Sequence, residues 1–440
     1  MAFLHAHSCE CLKSELELFS LPPTQTTIEG THSVYYKPIS SLTDDSPIEF
    51  VVPGQGDEYI DLAHTMLSIR VKIDAPDYKK TGGLEGVSPD VGPVNNLLHS
   101  MFSQIDVFLN QKLVSPPNNA YAYRAYIETL LNYAYAAKTS HLTSALWYSD
   151  TEGAMDDKGD GNKGLVERRD ALGKDRTIDL LGHLLCDIFN QERFLLNGVE
   201  MRLRLVQNNS TFCLMTDLKN CKIRITEASL IVRRVKIAPG ILLSHARALS
   251  KSTAKYPLTR VEVKAISMHA GIHGDTLDNV ILGQLPKRII IGFVDNKAFN
   301  GDYGKNPFNF HHYSINYLSL YVDGQQIPSK PLQTDFTDSN MYVDAYHTLF
   351  SGSGIHFLND GNCISRLNYP YGHCLFAFDL TPDLSANSST HWNLVRHGSV
   401  RIEVRFAGSL PTTVNCIVYA EYDNVLEIDS SRQVIVDFSG

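Results

Sequence analysis

The sequence has no run approaching the roughly 18 apolar residues that a membrane-spanning helix requires. Residues 1 to 21 hold Glu10, Glu15 and Glu17 among their apolar positions, which interrupts the apolar core a secretion signal needs. Neither membrane insertion nor secretion by a leader is expected. Cysteine is sparse: Cys9, Cys11, Cys186, Cys213, Cys221, Cys363, Cys374 and Cys416 are scattered through 440 residues. They lack the dense spacing of a disulfide scaffold and read as thiols in a reducing compartment. The Asn-x-Ser/Thr triplets that begin at Asn208, Asn209 and Asn387 then read as chance matches. Positive charge is also short, with 39 Lys and Arg against 48 Asp and Glu and a formal net charge of -9. That balance opposes a chain whose affinity comes from neutralising nucleic-acid phosphates, so direct, sequence-specific nucleic-acid binding is not expected.

Motifs that carry chemistry are missing as well: there is no P-loop, no G-x-S-x-G elbow, no H-E-x-x-H and no dinucleotide fingerprint. Asp156, Asp160, Gly161 and Glu167 fall at positions one, five, six and twelve of a calcium-loop spacing. Lys158, however, stands where position three needs an oxygen ligand, and Lys163 where position eight needs an apolar anchor. The stretch from Asp150 to Arg176 reads instead as an exposed, charged loop decorating a β scaffold. His269, His273 and Asp275 sit at a strand end with glycines between them, and neither they nor the His311-His312 pair has the context of a metal site. Cys9-Glu10-Cys11 is too close for a four-ligand site and lacks partners. A carboxylate pair for glycoside hydrolysis need only meet in space, and the sequence singles out none. No catalytic, cofactor-binding or metal-binding residue is assigned, no cofactor is expected, and the chain is read as a non-enzyme.

What the sequence does hold is alternation. Ile69, Val71 and Ile73 interleave with Arg70 and Lys72, and Val199, Met201, Leu203 and Leu205 with Glu200, Arg202 and Arg204. Val261 and Val263, Leu318, Leu320 and Val322, and Val400, Ile402, Val404 and Phe406 continue the pattern. Period two is the signature of half-buried strands, so the expectation is a mostly antiparallel all-β protein. Helices are few. One amphipathic helix is expected from about Ala120 to Lys138 behind Asn118 and Asn119 as caps, one from about Asp338 to Phe350, and one near Ile241 to Leu249. The aromatic clusters Phe308 to Tyr313 and Tyr369-Pro370-Tyr371 read either as core filling or as anchors of a subunit interface.

Two halves share one order of elements. Ile105 to Gln111 is a strand entering a turn, followed by a Pro-rich loop and Tyr123-Arg124-Ala125-Tyr126-Ile127-Glu128-Thr129-Leu130-Leu131. Leu318 to Gly324 is likewise followed by Pro328, Pro331 and Tyr342-Val343-Asp344-Ala345-Tyr346-His347-Thr348-Leu349-Phe350. Gly198 and Gly398 each open an alternating strand with another strand behind it. A duplicated β domain of roughly 190 residues accounts for this. The expected fold is two tandem antiparallel eight-stranded jelly rolls with a few short helices in loops. Residues 1–45 would form an extended N-terminal arm, 46–238 the first jelly roll, 239–255 a linker, 256–428 the second jelly roll and 429–440 a C-terminal tail.

Three blocks carry a family resemblance: Tyr59-Ile60-Asp61-Leu62-Ala63-His64-Thr65-Met66-Leu67, the run from Asn95 to Val107, and Tyr123 to Leu131. With Leu142 to Leu146 and Ala254 to Val261, they resemble the hexon-like major capsid protein of Polintons (Mavericks) and the related adintoviruses, over nearly the full chain. The resemblance implies a double-jelly-roll structural protein that forms pseudo-hexagonal homotrimeric capsomers of an icosahedral capsid around double-stranded DNA. It implies as partners the chain itself, neighbouring capsomers and a penton or minor capsid protein. The place would be the virion capsid, after synthesis in the host-cell cytoplasm and assembly there or in the nucleus. Composition and repeat leave a different class open, a two-domain β-rich carbohydrate-binding or glycoside-processing protein with a cleft between its domains. That alternative requires a pocket with convergent polar groups, which a capsid protein is expected to lack.

Overall fold

The computed structural model describes residues 7–9, 11–42, 46–54, 56–76, 91–116, 120–173, 175–337, 339–355 and 359–436. In the first half the strands are β1 Ile28–Tyr36, β2 Ile48–Val52, β3 Glu58–Asp74, β4 Val91–Pro93, β5 Phe102–Leu109, β6 Lys112–Leu113, β7 Thr177–His183, β8 Met201–Gln207, β9 Leu214–Thr216 and β10 Lys222–Ile237. In the second they are β11 Ala254–Met268, β12 Gly274–Gln284, β13 Arg288–Asp295, β14 Phe310–His311, β15 Ile315–Val322, β16 Gln325–Leu332, β17 Tyr371–Gly372, β18 Leu375–Asp379, β19 His397–Phe406, β20 Val414–Ile428 and β21 Val434–Val436.

Each half builds two antiparallel sheets. The first half has the orders β1-β10-β3-β7 and β2-β8-β5-β6, and the second β11-β20-β13-β18 and β12-β19-β15-β16. Taken in chain order, the eight strands of each half fall into the same places. Strands one, eight, three and six make one sheet, and two, seven, four and five the other, which is the jelly-roll winding. Short pairs, β4 with β9 and β14 with β17, lie outside the two sandwiches.

Alternation puts the apolar side chains inward. Leu67, Ile69, Val71 and Ile73 of β3, Met201, Leu203 and Leu205 of β8, and Val400, Ile402 and Val404 of β19 are all buried. Arg70, Arg202 and Arg405 between them stay exposed. Each such burial contributes about 1.5–3 kcal/mol, so a one-residue slip, which would turn every inward side chain to water, is strongly opposed.

Several expectations need correction. The expected arm is too long: β1 pairs antiparallel with β10 from Ile28 opposite Ile237 to Tyr36 opposite Leu230, so Ile28–Tyr36 is an edge strand of the first jelly roll. Of the expected arm, the described residues before Ile28 and residues 37–42 remain outside a sheet. The expected tail folds back, with β21 pairing with β20. The linker, by contrast, holds the helix expected near Ile241 to Leu249, which starts two residues earlier, as Pro239–Leu249, with proline in its first turn and no fully buried residue. The helix expected from Ala120 to Lys138 breaks at Tyr133 and Ala134 into Tyr121–Asn132 and Tyr135–Lys138, and the proposed caps Asn118 and Asn119 lie outside the described residues. The second helix begins later than expected, at Val343, and ends at Ser351. The stretch from Asp150 to Arg176 is no free decoration: it holds the helix Lys163–Asp170, with Asp150, Asn162 and Arg168 deeply buried.

Candidate functional site

The two jelly rolls meet across the helix Tyr121–Asn132, which lies in the long connection between β6 and β7. Its sequence looks amphipathic, yet eleven of its twelve residues are buried. On one side Tyr126 stacks on Phe308 of the second half, with centroids 4.2 Å apart and rings at 1°, and Tyr123 stacks on Phe299 at 5.5 Å. Phe310 and Phe212 complete the cluster edge-on. The Phe308 to Tyr313 segment thus fills the seam between the halves, where ring pairs add about 0.5–1.5 kcal/mol beyond their area.

On the other side of the helix lies a chain of charges. Arg124 donates to Glu128 at 2.8 Å and to Asp187 at 2.7 Å. The Tyr419 hydroxyl lies 3.2 Å from the Glu128 carboxylate and 3.0 Å from that of Glu421, which in turn pairs with Arg288 at 3.3 Å. Asp187 also accepts from the Val261 amide at 3.3 Å. The network therefore joins the first half's helix and connecting loop to β11, β13 and β20 of the second. Burial outweighs Arg124 and holds the Glu128 and Asp187 carboxyls above the usual carboxylate range. The same pairing keeps the Arg124 guanidinium firmly charged.

A second buried cluster ties the halves further along. Arg168 donates to the Pro93 carbonyl at 2.8 Å and to Asp150 at 2.5 Å, both side chains being sealed from solvent. Asn162 of the first half and Asn306 of the second both donate to Asp150 at 2.9 Å. Asp156, a candidate calcium-loop ligand, accepts from Lys305 at 3.0 Å and from the Asn306 amide at 2.8 Å, so a lysine ammonium occupies its charge. Lys138 caps the helix end, donating to the Leu130 carbonyl at 2.7 Å and to Asn362 of the second half at 2.8 Å. Burial lowers its pKa to about 8.

The remaining candidates lie elsewhere. His269 and His273 are exposed. His312 stacks on Phe336 at 4.5 Å and accepts the Ser314 amide, and burial pushes its pKa down to about 4. Cys9 and Cys11 are exposed thiols. Among the described residues no group of three His, Cys, Asp or Glu is placed to hold a metal ion, and no helix is long and apolar enough to cross a membrane.

Contrary to expectation, a polar groove of about 660 Å³ opens beside the charge network, lined among others by Arg124, Glu128, Lys287, Arg288, Trp392, Glu421 and Asp423. Three of its carboxylates already have a cation partner: Glu128 has Arg124, Glu421 has Arg288 and Asp423 has Lys287 at 2.9 Å, while Glu192 lies exposed at its edge. The sequence hides this site because its members stand far apart in the chain. Only the Arg124 and Glu128 spacing is visible, and at i,i+4 it reads as a solvated helix pair.

No family model matches the chain. It is 27% identical over 429 residues to an uncharacterized protein, F54H12.2, of Caenorhabditis elegans, covering 95% of this chain and 99% of that one. Among solved structures, a chain of the Sputnik virophage superposes with a TM-score of 0.69 at 13% identity, over 98% of this chain and 94% of that one. A chain of the PBCV-1 virus capsid gives 0.60 at 9% identity, over 96% and 100%. The fold is a double jelly roll. The mavirus major capsid protein shares it at a TM-score of 0.52 and 11% identity, over 99% of this chain and 95% of that one. Because the likeness runs across almost the full length of these viral chains, the pairing of two jelly rolls, and not one roll alone, is what is shared.

Proposed function

We propose that this double jelly roll is a major capsid protein, of the lineage of Polintons and adintoviruses that its sequence blocks resemble. Three copies would form a pseudo-hexagonal capsomer, and capsomers with a penton or minor capsid protein would close an icosahedral shell around double-stranded DNA. The observation that carries the reading is the repeated winding: two complete eight-stranded sandwiches of identical strand order, locked to each other by a buried interface. A subunit with two equivalent rolls offers six similar corners when three copies close around an axis, which is what tiles a facet. The locked interface makes each subunit a stiff two-lobed block, so that corner positions are set within the chain. With a net charge of -9 the chain leaves the genome to be neutralised by other basic proteins or counterions. Negative-stain electron microscopy of the purified protein tests this. Three-fold class averages with a hexagonal outline are expected, and isolated two-lobed particles at micromolar concentration would contradict it.

The polar groove favours a second reading, a glycoside-processing protein, since Glu128 and Glu421 approach one hydroxyl. Burial does raise the Glu128 carboxyl, but Glu128 is paired with Arg124 and Glu421 with Arg288, which leaves no unpaired carboxylate of the two to serve as the base that such hydrolysis uses. Turnover on a glycan panel that Glu128→Gln and Glu421→Gln both abolish would favour it over the capsid reading.

A further inference from the structure

We infer that residues Leu12 to Leu21 of one copy seat in an apolar groove on a second copy, tying neighbouring subunits together; the inference rests on the capsid reading and names a contact within it. The groove measures about 650 Å³ and lies where the two jelly rolls join, between the linker helix and the starts of β1, β3 and β11. Tyr59, Phe194, Leu196, Ile241, Leu249 and Tyr256 give it an apolar lining. The matching surface is on the same molecule but does not meet it. Leu12, Leu16, Leu18, Phe19 and Leu21 are all exposed, Phe19 fully and Leu21 at 91%. So concentrated an apolar run left in water marks a surface that awaits a partner.

The two sites fit in charge as well as in polarity. The segment carries Glu15 and Glu17 against Lys13, while the rim and the helix above it present Arg193, Arg247, Lys251 and Lys255 against Glu192, all exposed. The chain's own segment is poorly placed to fill its own groove. Thr27 and Ile28 line the rim, and the Thr27 carbonyl is pinned by the Ala238 amide at 2.9 Å, so an inward path would have to reverse at once. Pro22-Pro23 stands between that root and the apolar run, and consecutive prolines hold φ near the extended value. Extended, the residues from Thr27 back to Leu12 span roughly 50 Å at about 3.3–3.6 Å each, which is the scale of a neighbouring subunit. A surface on one molecule that complements a different surface on its copy gives a head-to-tail contact, suited to linking units around a ring or across a facet.

The test uses the full chain with a benzophenone photo-crosslinker in place of Phe19, mixing isotopically heavy and light protein in equal parts before irradiation. Crosslinks from position 19 to the groove, around Ile241, Ala248 and Leu249, are expected in heavy-light pairs. They are expected to be lost in the Ala248→Glu variant, whose exposed site leaves the fold untouched. Crosslinks confined to single-isotope species, or landing outside the groove while capsomers are seen in the same sample, overturn the inference and leave the capsid reading standing. A sample that stays monomeric throughout overturns both.

Discussion

Replacing Arg124 by Met isolates what the buried charges contribute. The methionine keeps the aliphatic bulk of the side chain, but Glu128 and Asp187, bonded to Arg124 at 2.8 and 2.7 Å, lose their cation in a site where both are largely buried. Removing one partner of a buried ion pair costs about 3–5 kcal/mol, a large share of the ~5–15 kcal/mol that holds a domain folded. The penalty depends on pH in a defined direction. Both carboxyls already have folded pKa values raised by burial, so their contribution to stability is present below the unfolded value and is lost as pH rises through the folded one. Without Arg124 those values rise further. The variant is therefore most handicapped at neutral pH and regains stability as the pH falls into the acidic range and the carboxyls take up protons. Urea unfolding reports this through Trp147, buried beside Tyr126 at the seam, in a Trp392→Phe background that silences the half-exposed second indole. A cost below about 1 kcal/mol at pH 7, or the same cost at pH 5 and pH 7, would refute the account of this network.

Three further outcomes follow from the seam between the rolls. Phe308→Ala removes the ring stacked on Tyr126 and is expected to cost about 3–5 kcal/mol, read by thermal unfolding. Asn306→Ala strips a hydrogen bond from the sealed Asp150 carboxylate and is expected to cost about 1–3 kcal/mol in the same assay. Lys138 has its pKa lowered to about 8, so the folded chain releases its proton before the unfolded chain does. Wild-type stability relative to Lys138→Met should therefore rise from about pH 8 to pH 10.5, and a flat difference would show the ammonium to be solvated.

The sheets were legible because their strands carry one buried face. The alternation at Ile69 to Ile73, Met201 to Leu205 and Val400 to Phe406 survives as the inward rows of β3, β8 and β19, and the parallel order of the halves survives as identical sheet orders. The edge strand β1 escaped notice because Glu29 to Ser33 offers no apolar row, its place being secured by backbone pairing to β10. The helix Tyr121–Asn132 was found but misjudged. Arg124 and Glu128 marked a polar face that the second roll covers, and nothing local announces Asp187, Arg288, Tyr419 or Glu421 as the groups that make such burial tolerable. Likewise the charged stretch after Asp150 read as solvated, whereas Arg168 reaches through it to Asp150 and the Pro93 carbonyl. Period reveals which face of an element is apolar; it does not reveal polar contacts closed by residues hundreds of positions away.

The most direct test of the capsid reading is the mass of the purified protein in solution by light scattering. The account predicts a stable species of about three times 49.1 kDa, or closed shells built from it. A monodisperse species of 49.1 kDa at micromolar concentration would contradict it.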